Sequence, residues 1–360
     1  MVTFTRRKAL QLTGFGIAAM AALPRAAFSQ APAFPKGAVI RTLFKDYAPE
    51  ELADGATLFH EHISVGADFN DRFRAASAAV LAAQGAPPST RPAGPPPASG
   101  PDPMRDINLM TEELRNARRD GVACICDASL EGTGVDLNFI RTASKNSGLP
   151  IIKGAGFYTE PYYPKEVAGM SEEQLVRALI KQADDYPAGA FGEIGSWDEI
   201  SATERKVFRA VGKAHVATNL PVFTHTGIPG KSALEQLDLL EDAGVDPKRV
   251  AVGHLGNLND PTLYVHKTIC RRGAFVGFDR QGGGGGADAP VVPLIMALID
   301  AGFVDHILIS GDAMRGYARP VTAFLPRLKA AGVSDEVLKK ITVDNSRRFL
   351  AFVPKRARKA

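Results

Sequence analysis

Cysteine is scarce in this sequence, and so are long apolar runs. Three cysteines among 360 residues cannot form a disulfide framework, which excludes the class of small disulfide-stapled proteins. Cys124 and Cys126 share one face of an apolar run, and Cys270 falls in a helical pattern, so we expect three buried thiols. The apolar run from Ala9 to Leu23 is too short and too rich in glycine and alanine to predict a membrane-spanning helix.

A strong net charge is also lacking. The formal charge is +4, and part of it comes from the two basic ends of the chain. The sequence has no basic stripe interleaved with aromatic residues, which argues against a nucleic-acid partner. No Gly-x-Gly-x-x-Gly pattern follows a candidate strand, which argues against a dinucleotide-binding sheet. We therefore expect a small molecule as the partner, and a homodimer is compatible with this composition.

The N-terminal segment predicts export. Arg6 and Arg7 precede the uncharged stretch, and small residues around Ala27–Ala31 offer a cleavage site. Residues 5–11 resemble a twin-arginine signal, although Ala9 stands where that signal usually has phenylalanine. We predict a signal peptide over residues 1–30, a periplasmic or secreted location, and a single domain over residues 31–360. A basic membrane-anchoring helix is the alternative.

From residue 50 onward, short apolar segments alternate with amphipathic ones. This rhythm predicts an α/β fold of the (β/α)₈ TIM-barrel type, with an open doubly wound sheet as the alternative. The predicted strands are Thr57–Phe59, Val122–Cys126, Pro150–Ala155, Ala190–Ile194, Pro221–Thr224, Arg249–Gly253, Ala274–Phe278 and His306–Ser310. The predicted helices span about 105–119, 171–185, 201–218, 231–243, 260–272, 290–301, 320–331 and 335–351.

Two segments interrupt this rhythm. Residues from about 84 to 103 are rich in proline, glycine, serine and alanine, which predicts an exposed insertion between the first two barrel strands. The glycine run Gly282–Gly286 predicts a mobile loop. It does not fit a phosphate-binding loop, because no Lys-Ser or Lys-Thr at a helix start follows it.

Histidines and acids fall at the ends of the predicted strands. The two histidines of a His-x-His pair project to the same side of a strand, as two ligands of one metal ion would. Barrel enzymes build their sites at the carboxyl ends of the strands, where these side chains converge. The candidate metal ligands are His60, His62, Glu193, His225, His254 and Asp312. The remaining histidines are expected to be structural: His215, His266 and His306.

Six ligands exceed what one tetrahedral ion needs. They suit two divalent ions bridged by a carboxylate, as in two-metal hydrolytic sites. The imidazole-rich set favours zinc, with manganese or cobalt as alternatives. We therefore predict a dinuclear metal site as the cofactor.

Seven motifs carry a resemblance to a known family, and the last of them in the chain is ITVDNSRRFLAF (341–352). The other six read TLFHEHI (57–63), GAGFYTEPYYP (154–164), GEIG (192–195), VFTHTG (222–227), VGHLGN (252–257) and ISGDA (309–313). Together they make residues 38–353 resemble the phosphotriesterase-related family of the amidohydrolase superfamily. The resemblance implies that His60, His62 and Asp312 bind the more buried metal, and that His225 and His254 bind the more exposed one.

The bridging ligand sets this chain apart within that resemblance. Many family members use a carbamylated lysine on strand four, whereas this chain has Glu193 there and so resembles the glutamate-bridged branch. Lys153 on strand three is expected not to be a ligand. Tyr158 and Arg280 resemble residues that line the substrate pocket of lactonase-like members.

The resemblance implies a metal-dependent hydrolase that cleaves a lactone or carboxylic ester by attack of a metal-bridging hydroxide. Asp312 would accept the proton, and Tyr158 and Arg280 would bind the substrate. The alternatives are phosphotriester hydrolysis at the same site, a Schiff-base lyase that uses Lys153, and a metal-containing binding protein without turnover.

Overall fold

A computed structural model describes residues 31–83, 100–227, 230–258, 260–283 and 288–358. The predicted signal peptide, residues 84–99 of the proline-rich insertion and Gly284–Gly286 lie outside these ranges. All the elements below belong to one compact unit, residues 33–360. Within the described ranges, no helix combines the length and the apolar character that a membrane crossing needs.

Eight parallel strands form the predicted barrel, and each pairs with the next along the chain. A hydrogen bond connects the first and last barrel strands near their carboxyl ends. The amide of Asp312, which follows the last strand, donates to the carbonyl of His60 over 3.0 Å. A short antiparallel pair, β1 (Ile40–Arg41) and β2 (Asp46–Tyr47), precedes the barrel. The barrel strands are β3 (Ala56–Glu61), β4 (Val122–Asp127), β5 (Ile151–Ala155), β6 (Ala190–Ser196), β7 (Val222–Thr226), β8 (Val250–Val252), β9 (Phe275–Phe278) and β10 (Ile307–Ile309).

Helices follow the strands around the barrel, and each predicted helix is present. They are α1 (Phe69–Ala83), α2 (Ile107–Arg119), α3 (Leu137–Ser147), α4 (Glu172–Asp185), α5 (Ala202–Thr218), α6 (Ala233–Asp242), α7 (Tyr264–Arg272), α8 (Val291–Asp300), α9 (Leu325–Ala330), α10 (Asp335–Lys339) and α11 (Asn345–Leu350). π-helical turns occupy Pro320–Phe324 and Lys340–Asp344. Short 3₁₀ helices occupy Pro49–Leu52, Pro103–Arg105, Glu160–Tyr162, Lys165–Gly169, Pro247–Arg249, Leu255–Asn257 and Val304–His306.

The sequence patterns missed α1, α3 and the β1–β2 pair. Helix α3 carries local signals that identify its ends. At the start of α3, the Asp136 side chain accepts a backbone hydrogen bond. Gly148 ends the helix with a φ of 70°. Capping boxes start α4 and α5, because Ser171 and Gln174, and likewise Ser201 and Glu204, cap one another.

The barrel interior is apolar, and its polar groups lie at its ends. Phe59, Phe223 and Phe349 meet edge to face in the core, with ring centroids 6.1 and 6.3 Å from Phe59. The three cysteines are buried and free, as expected. Burial raises the pKa of both the Cys124 and Cys270 thiols to about 12, so they stay neutral at physiological pH.

Candidate metal centre

All six predicted ligands lie at the carboxyl end of the barrel. His60 is the last residue but one of β3, His62 directly follows that strand, and Glu193 lies within β6. His225 lies in β7, His254 follows β8, and Asp312 follows β10. The buried members of this set have a relative exposure of 4% or less. The structure therefore brings together side chains that are up to 252 positions apart in sequence.

Bulges aim the first of these side chains. Leu58 pairs with Ile125 and Glu61 with Asp127, so β3 carries one extra residue between its two paired positions. A bulge of this kind bends a strand and redirects its side chains. It allows Phe59 to pack in the core while His60, its neighbour, faces the site.

Strand β6 has the same irregularity. Phe191 pairs with Val222 and Ile194 with Thr224, which again leaves one extra residue just where Glu193 lies. Gly192 has a φ of 147°, and a Cβ atom there would fall 2.4 Å from the Phe223 ring. Only glycine fits this position, which is why a glycine precedes the glutamate.

The first group of ligand atoms surrounds the Glu193 carboxylate. Nε2 of His60 lies 3.3 Å from Oε2 of Glu193, and Nε2 of His62 lies 3.2 Å from Oε1. Oδ1 of Asp312 lies 3.1 Å from Nε2 of His62 and 3.6 Å from Nε2 of His60. These four residues can each offer one atom to a common ion, since the atoms lie within 4.8 Å of one another.

A second group shares the same glutamate. Nδ1 of His225 lies 2.9 Å and Nε2 of His254 lies 3.4 Å from Oε2 of Glu193. The two imidazole nitrogens face each other across 2.8 Å. Glu193 therefore contacts both groups of candidate ligands.

Asp279 forms a third cluster with His60 and His254, but its geometry indicates a supporting role. Its two oxygens lie 2.9 Å from Nδ1 of each histidine. Both rings therefore donate from Nδ1 and present Nε2 to the centre. Carboxylates that fix a ligand's tautomer and orientation in this way are usual around metal sites. The sequence pattern did not predict this role for Asp279.

Two ligand positions have a left-handed backbone. His254 has a φ of 62° and Asp312 a φ of 48°. Residues with a side chain seldom adopt this conformation, and where they do it is commonly at functional sites. The strain is held by hydrogen bonds: the His254 amide donates to Oδ1 of Asp279 over 2.9 Å.

The donor set fits a cation. Nε2 of His60 is buried and has no hydrogen-bond partner among the described residues, although carboxylate oxygens lie on two sides of it. An unpartnered buried nitrogen is costly, and a bound cation would satisfy it. Imidazole nitrogens with carboxylate oxygens are ligands that zinc and similar ions prefer.

Electrostatics support the same interpretation. Burial alone would lower the pKa of His62, but Asp312 and Glu193 raise it to about 9. Burial and the charge of His254 lower the pKa of His225 to about 4. Without a metal, protons on His60 and His62 balance the carboxylates, so a bound cation would have to displace those protons.

Tyr158 and Arg280 both reach this centre. The Tyr158 hydroxyl oxygen lies 3.0 Å from Nδ1 of His225, and burial raises the tyrosine's pKa well above its usual value. Nε of Arg280 donates to Oδ2 of Asp312 over 2.9 Å. Both side chains line a cavity of about 380 Å³ next to the ligands.

The same cavity has an apolar side that the sequence analysis did not predict. Helix α1 contributes Phe69 and Phe73, and Met314 completes this wall. The Phe73 ring lies 5.5 Å from Trp197 and 6.2 Å from His225, measured between centroids. The spacing of the two phenylalanines, one helical turn apart, is the signal that points to a shared face.

A second layer of polar groups supports the His-x-His pair. Nδ1 of His62 lies 3.3 Å from Oγ of Ser129, which donates to Asp127 over 3.1 Å. Nζ of Lys153 lies 3.1 Å from Oδ2 of Asp127. Lys153 thus belongs to this layer, as expected for a residue that is not a ligand. Glu61 accepts hydrogen bonds from the amides of the strand-ten loop and ties that loop to β3.

The other three histidines lie away from the centre. His215 is in α5 and His266 in α7, and His306 precedes β10 at the opposite end of the barrel. Each has a backbone carbonyl partner: Leu220, Leu255 and Ala274 respectively. These contacts agree with the structural role predicted for them.

Comparison with known proteins gives a family match. The phosphotriesterase family model matches residues 47–350. The chain is 29% identical to the aryldialkylphosphatase of Saccharolobus solfataricus over 66% of its own length and 84% of that protein. It is 26% identical to the human N-acetyltaurine hydrolase over 69% of its length and 78% of that protein. The crystal structure of the lactonase Lmo2620 from Listeria monocytogenes has a TM-score of 0.70 at 24% identity, and covers 87% of this chain and 98% of that one.

Proposed function

This chain belongs to the phosphotriesterase family, and from that membership we propose that it hydrolyses a lactone or carboxylic ester with two bound divalent ions, zinc by preference. The observation that carries the proposal is the position of Glu193, which contacts His60 and His62 of the first group and His225 and His254 of the second. His60, His62 and Asp312 would hold the more buried ion, and His225 and His254 the other. When bound, such ions polarise a carbonyl or phosphoryl oxygen and lower the pKa of water toward neutrality.

Asp312 is placed to move a proton. Burial would raise the pKa of Asp312, but the charges of His254, His60 and Arg280 hold it well below its usual range. The carboxylate is therefore ionised at neutral pH and can accept a proton. Nε of Arg280 holds Oδ2, which leaves Oδ1 facing the histidines.

Tyr158 and the apolar wall position the substrate. Burial keeps Tyr158 a neutral phenol, so its hydroxyl can donate a hydrogen bond to a carbonyl oxygen. Phe69 and Phe73 cover one side of the cavity and would exclude water around an apolar substituent. This combination favours an uncharged ester with an apolar body.

Asp312→Asn tests the proposed proton transfer. We expect its rate of lactone hydrolysis to fall by about 100-fold or more, since about 100-fold is the lower end of the range for a general acid–base group. The bound metal, measured by elemental analysis, should fall much less, because the amide oxygen can still face the ion. Turnover equal to that of the wild type would remove Asp312 from the mechanism.

Phosphotriester hydrolysis at the same centre is the second candidate, favoured by the 29% identity to an aryldialkylphosphatase. Attack on phosphorus needs the same polarised oxygen and the same proton acceptor. Parallel kinetics on a lactone panel and a diethyl aryl phosphotriester separate the two. A higher kcat/KM for the phosphotriester would reverse our ranking, and no turnover of either would favour a binding protein.

A further inference from the structure

A second cavity, of about 590 Å³, opens at the amino end of the barrel. Its walls come from the segments that precede β7, β8, β9 and β10, and from the chain after α11. The candidate metal centre occupies the opposite ends of these strands. The volume lies within the range of ligand-binding sites, roughly 300–1,000 Å³.

The charged residues that line this cavity are predominantly cationic. They include Lys248, Arg249, Arg348 and Lys355, with Asp246 as the one acid of the lining. Asp246 is engaged at the start of a 3₁₀ helix, where it accepts a hydrogen bond from the Lys248 amide over 3.0 Å. The lining therefore carries an excess of positive charge.

Two of the four cations have other partners. Nη1 of Arg348 lies 3.3 Å from a carboxylate oxygen of Asp305. Nζ of Lys355 donates to the carbonyl oxygen of Val216 over 2.7 Å, which leaves its charge without a carboxylate. The pairing at Arg348 thus offsets one charge and leaves the rest of the excess in place.

Arg249 is the cation with the strongest need for an anion. Its Nη2 is buried and has no hydrogen-bond partner among the described residues. Every aspartate and glutamate of the sequence lies in the described ranges, and none forms an ion pair with this guanidinium there. Burial lowers the pKa of Arg249 to about 10. The charge of Asp246 opposes that shift without forming an ion pair. A buried guanidinium nitrogen without a partner is costly, and an anion would relieve that cost.

The remaining walls add hydrogen-bond capacity and apolar surface. His215 and His306 donate from Nδ1 to backbone carbonyls at 2.7 and 3.0 Å, so Nε2 is the ring nitrogen left for a ligand. Phe34, Phe275 and Phe352 supply aromatic surface beside the charges. A ligand that fits both features has a charged head and an apolar body.

We propose that this amino-end cavity binds a small organic anion, with its carboxylate or phosphate group against Arg249 and its apolar body against the aromatic wall. The site is separate from the metal centre and does not depend on the proposed hydrolysis. The planar guanidinium suits either oxyanion, because both accept two parallel hydrogen bonds from it.

Titration calorimetry on the metal-loaded protein tests this site with octanoate as the probe. Octanamide, which has the same body without the charge, and inorganic phosphate, which has the charge without the body, are the matched ligands. We expect octanoate to bind, and Arg249→Met to weaken its affinity at least ten-fold. Arg209→Met is the control variant, because Arg209 pairs with Glu172 at 2.9 Å outside the cavity. It should change the affinity less than two-fold.

Three results would overturn the proposal. The first is equal octanoate affinity in wild type and Arg249→Met, or no binding of octanoate to the wild type. The second is loss of octanoate binding when the metal is removed, which would place the anion at the metal centre. The third is equally tight binding of octanamide. If Arg249→Met does not fold, Arg249→Lys keeps a charge but loses the planar fork, and a weaker affinity for octanoate in that variant is the expected result.

Discussion

The two ends of this barrel are built from the same strands but handle charge in opposite ways. At the carboxyl end, the carboxylates of Glu193, Asp279 and Asp312 each contact imidazole nitrogens of neighbouring strands. At the amino end, Arg249 and Lys355 have no carboxylate partner among the described residues. The carboxyl end is arranged for cations and the amino end for anions.

The strands between the two ends keep these environments independent. A strand rises by roughly 3.3 Å per residue, so five or six residues separate the ends by about 15–20 Å. The screening length at physiological ionic strength is about 8 Å. A change at one end of the barrel should therefore leave the other end intact.

Glu193→Gln should have the largest effect. An amide can bind one ion but bridges two poorly, so we expect loss of bound metal and a fall in hydrolysis of more than about 100-fold, beyond the range typical of an outer carboxylate. Elemental analysis and steady-state kinetics measure both. Glu204→Gln, at the start of α5, is the control and should keep its full metal content. Full metal content in Glu193→Gln would contradict a bridging role for Glu193.

Asp279→Asn should have a smaller effect on the same centre. Asp279 orients His60 and His254 from behind, and loss of such a partner typically costs about 10–100-fold in metal affinity or activity. Because all the direct ligands remain, excess metal in the assay should restore most of the turnover. A loss that no metal concentration restores would instead place Asp279 among the groups that touch the substrate.

Glu204 is an acid of the carboxyl end that forms no ion pair among the described residues, although the charge of Arg205 acts on it. Burial raises its pKa from 4.5 to about 7. Because the folded protein holds this proton more tightly than the unfolded chain, the free energy of unfolding should fall as the pH rises from about 4.5 to 7. The change is on the order of 2 kcal/mol. Glu204→Gln keeps the capping box, so denaturant titrations should show a flatter pH dependence; an unchanged slope would contradict the assignment.

Arg249→Met should have the smallest effect, and it acts at the amino end. Removal of a buried cation without a partner should stabilise the protein by about 1 kcal/mol. Thermal unfolding should show a midpoint roughly 2–4 °C higher, with hydrolysis within two-fold of the wild type. A lower midpoint would mean that the guanidinium stabilises the fold and is not held for a ligand.

The sequence predicted the barrel and the ligand set because both depend on strand ends. Five of the eight predicted strands have a candidate ligand at their carboxyl ends, and parallel strands bring such ends to one rim. The six candidate ligands could therefore be grouped without knowledge of their distances. The alternation of side chains was enough to place His60 and His62 on one side of β3.

The features that the sequence did not predict depend on strand register and on contacts between residues that are far apart in the sequence. The extra residues in β3 and β6 change which side chains face inward, and side-chain alternation does not reveal such an insertion. Asp279 reads as an ordinary strand-end acid until its contacts with two histidines are seen. Helix α1 directly precedes the proline-rich insertion in the sequence. The composition of that insertion indicates an exposed loop, and the helix before it was not predicted.

Metal titration of the stripped protein tests the central claim most directly. Zinc is added in steps while lactone and phosphotriester hydrolysis are followed in parallel. We expect both activities to rise to a plateau at two equivalents of zinc per chain, and we expect lactone turnover to be the higher of the two. A plateau at one equivalent, or hydrolysis that survives complete removal of metal, would contradict a dinuclear centre bridged by Glu193.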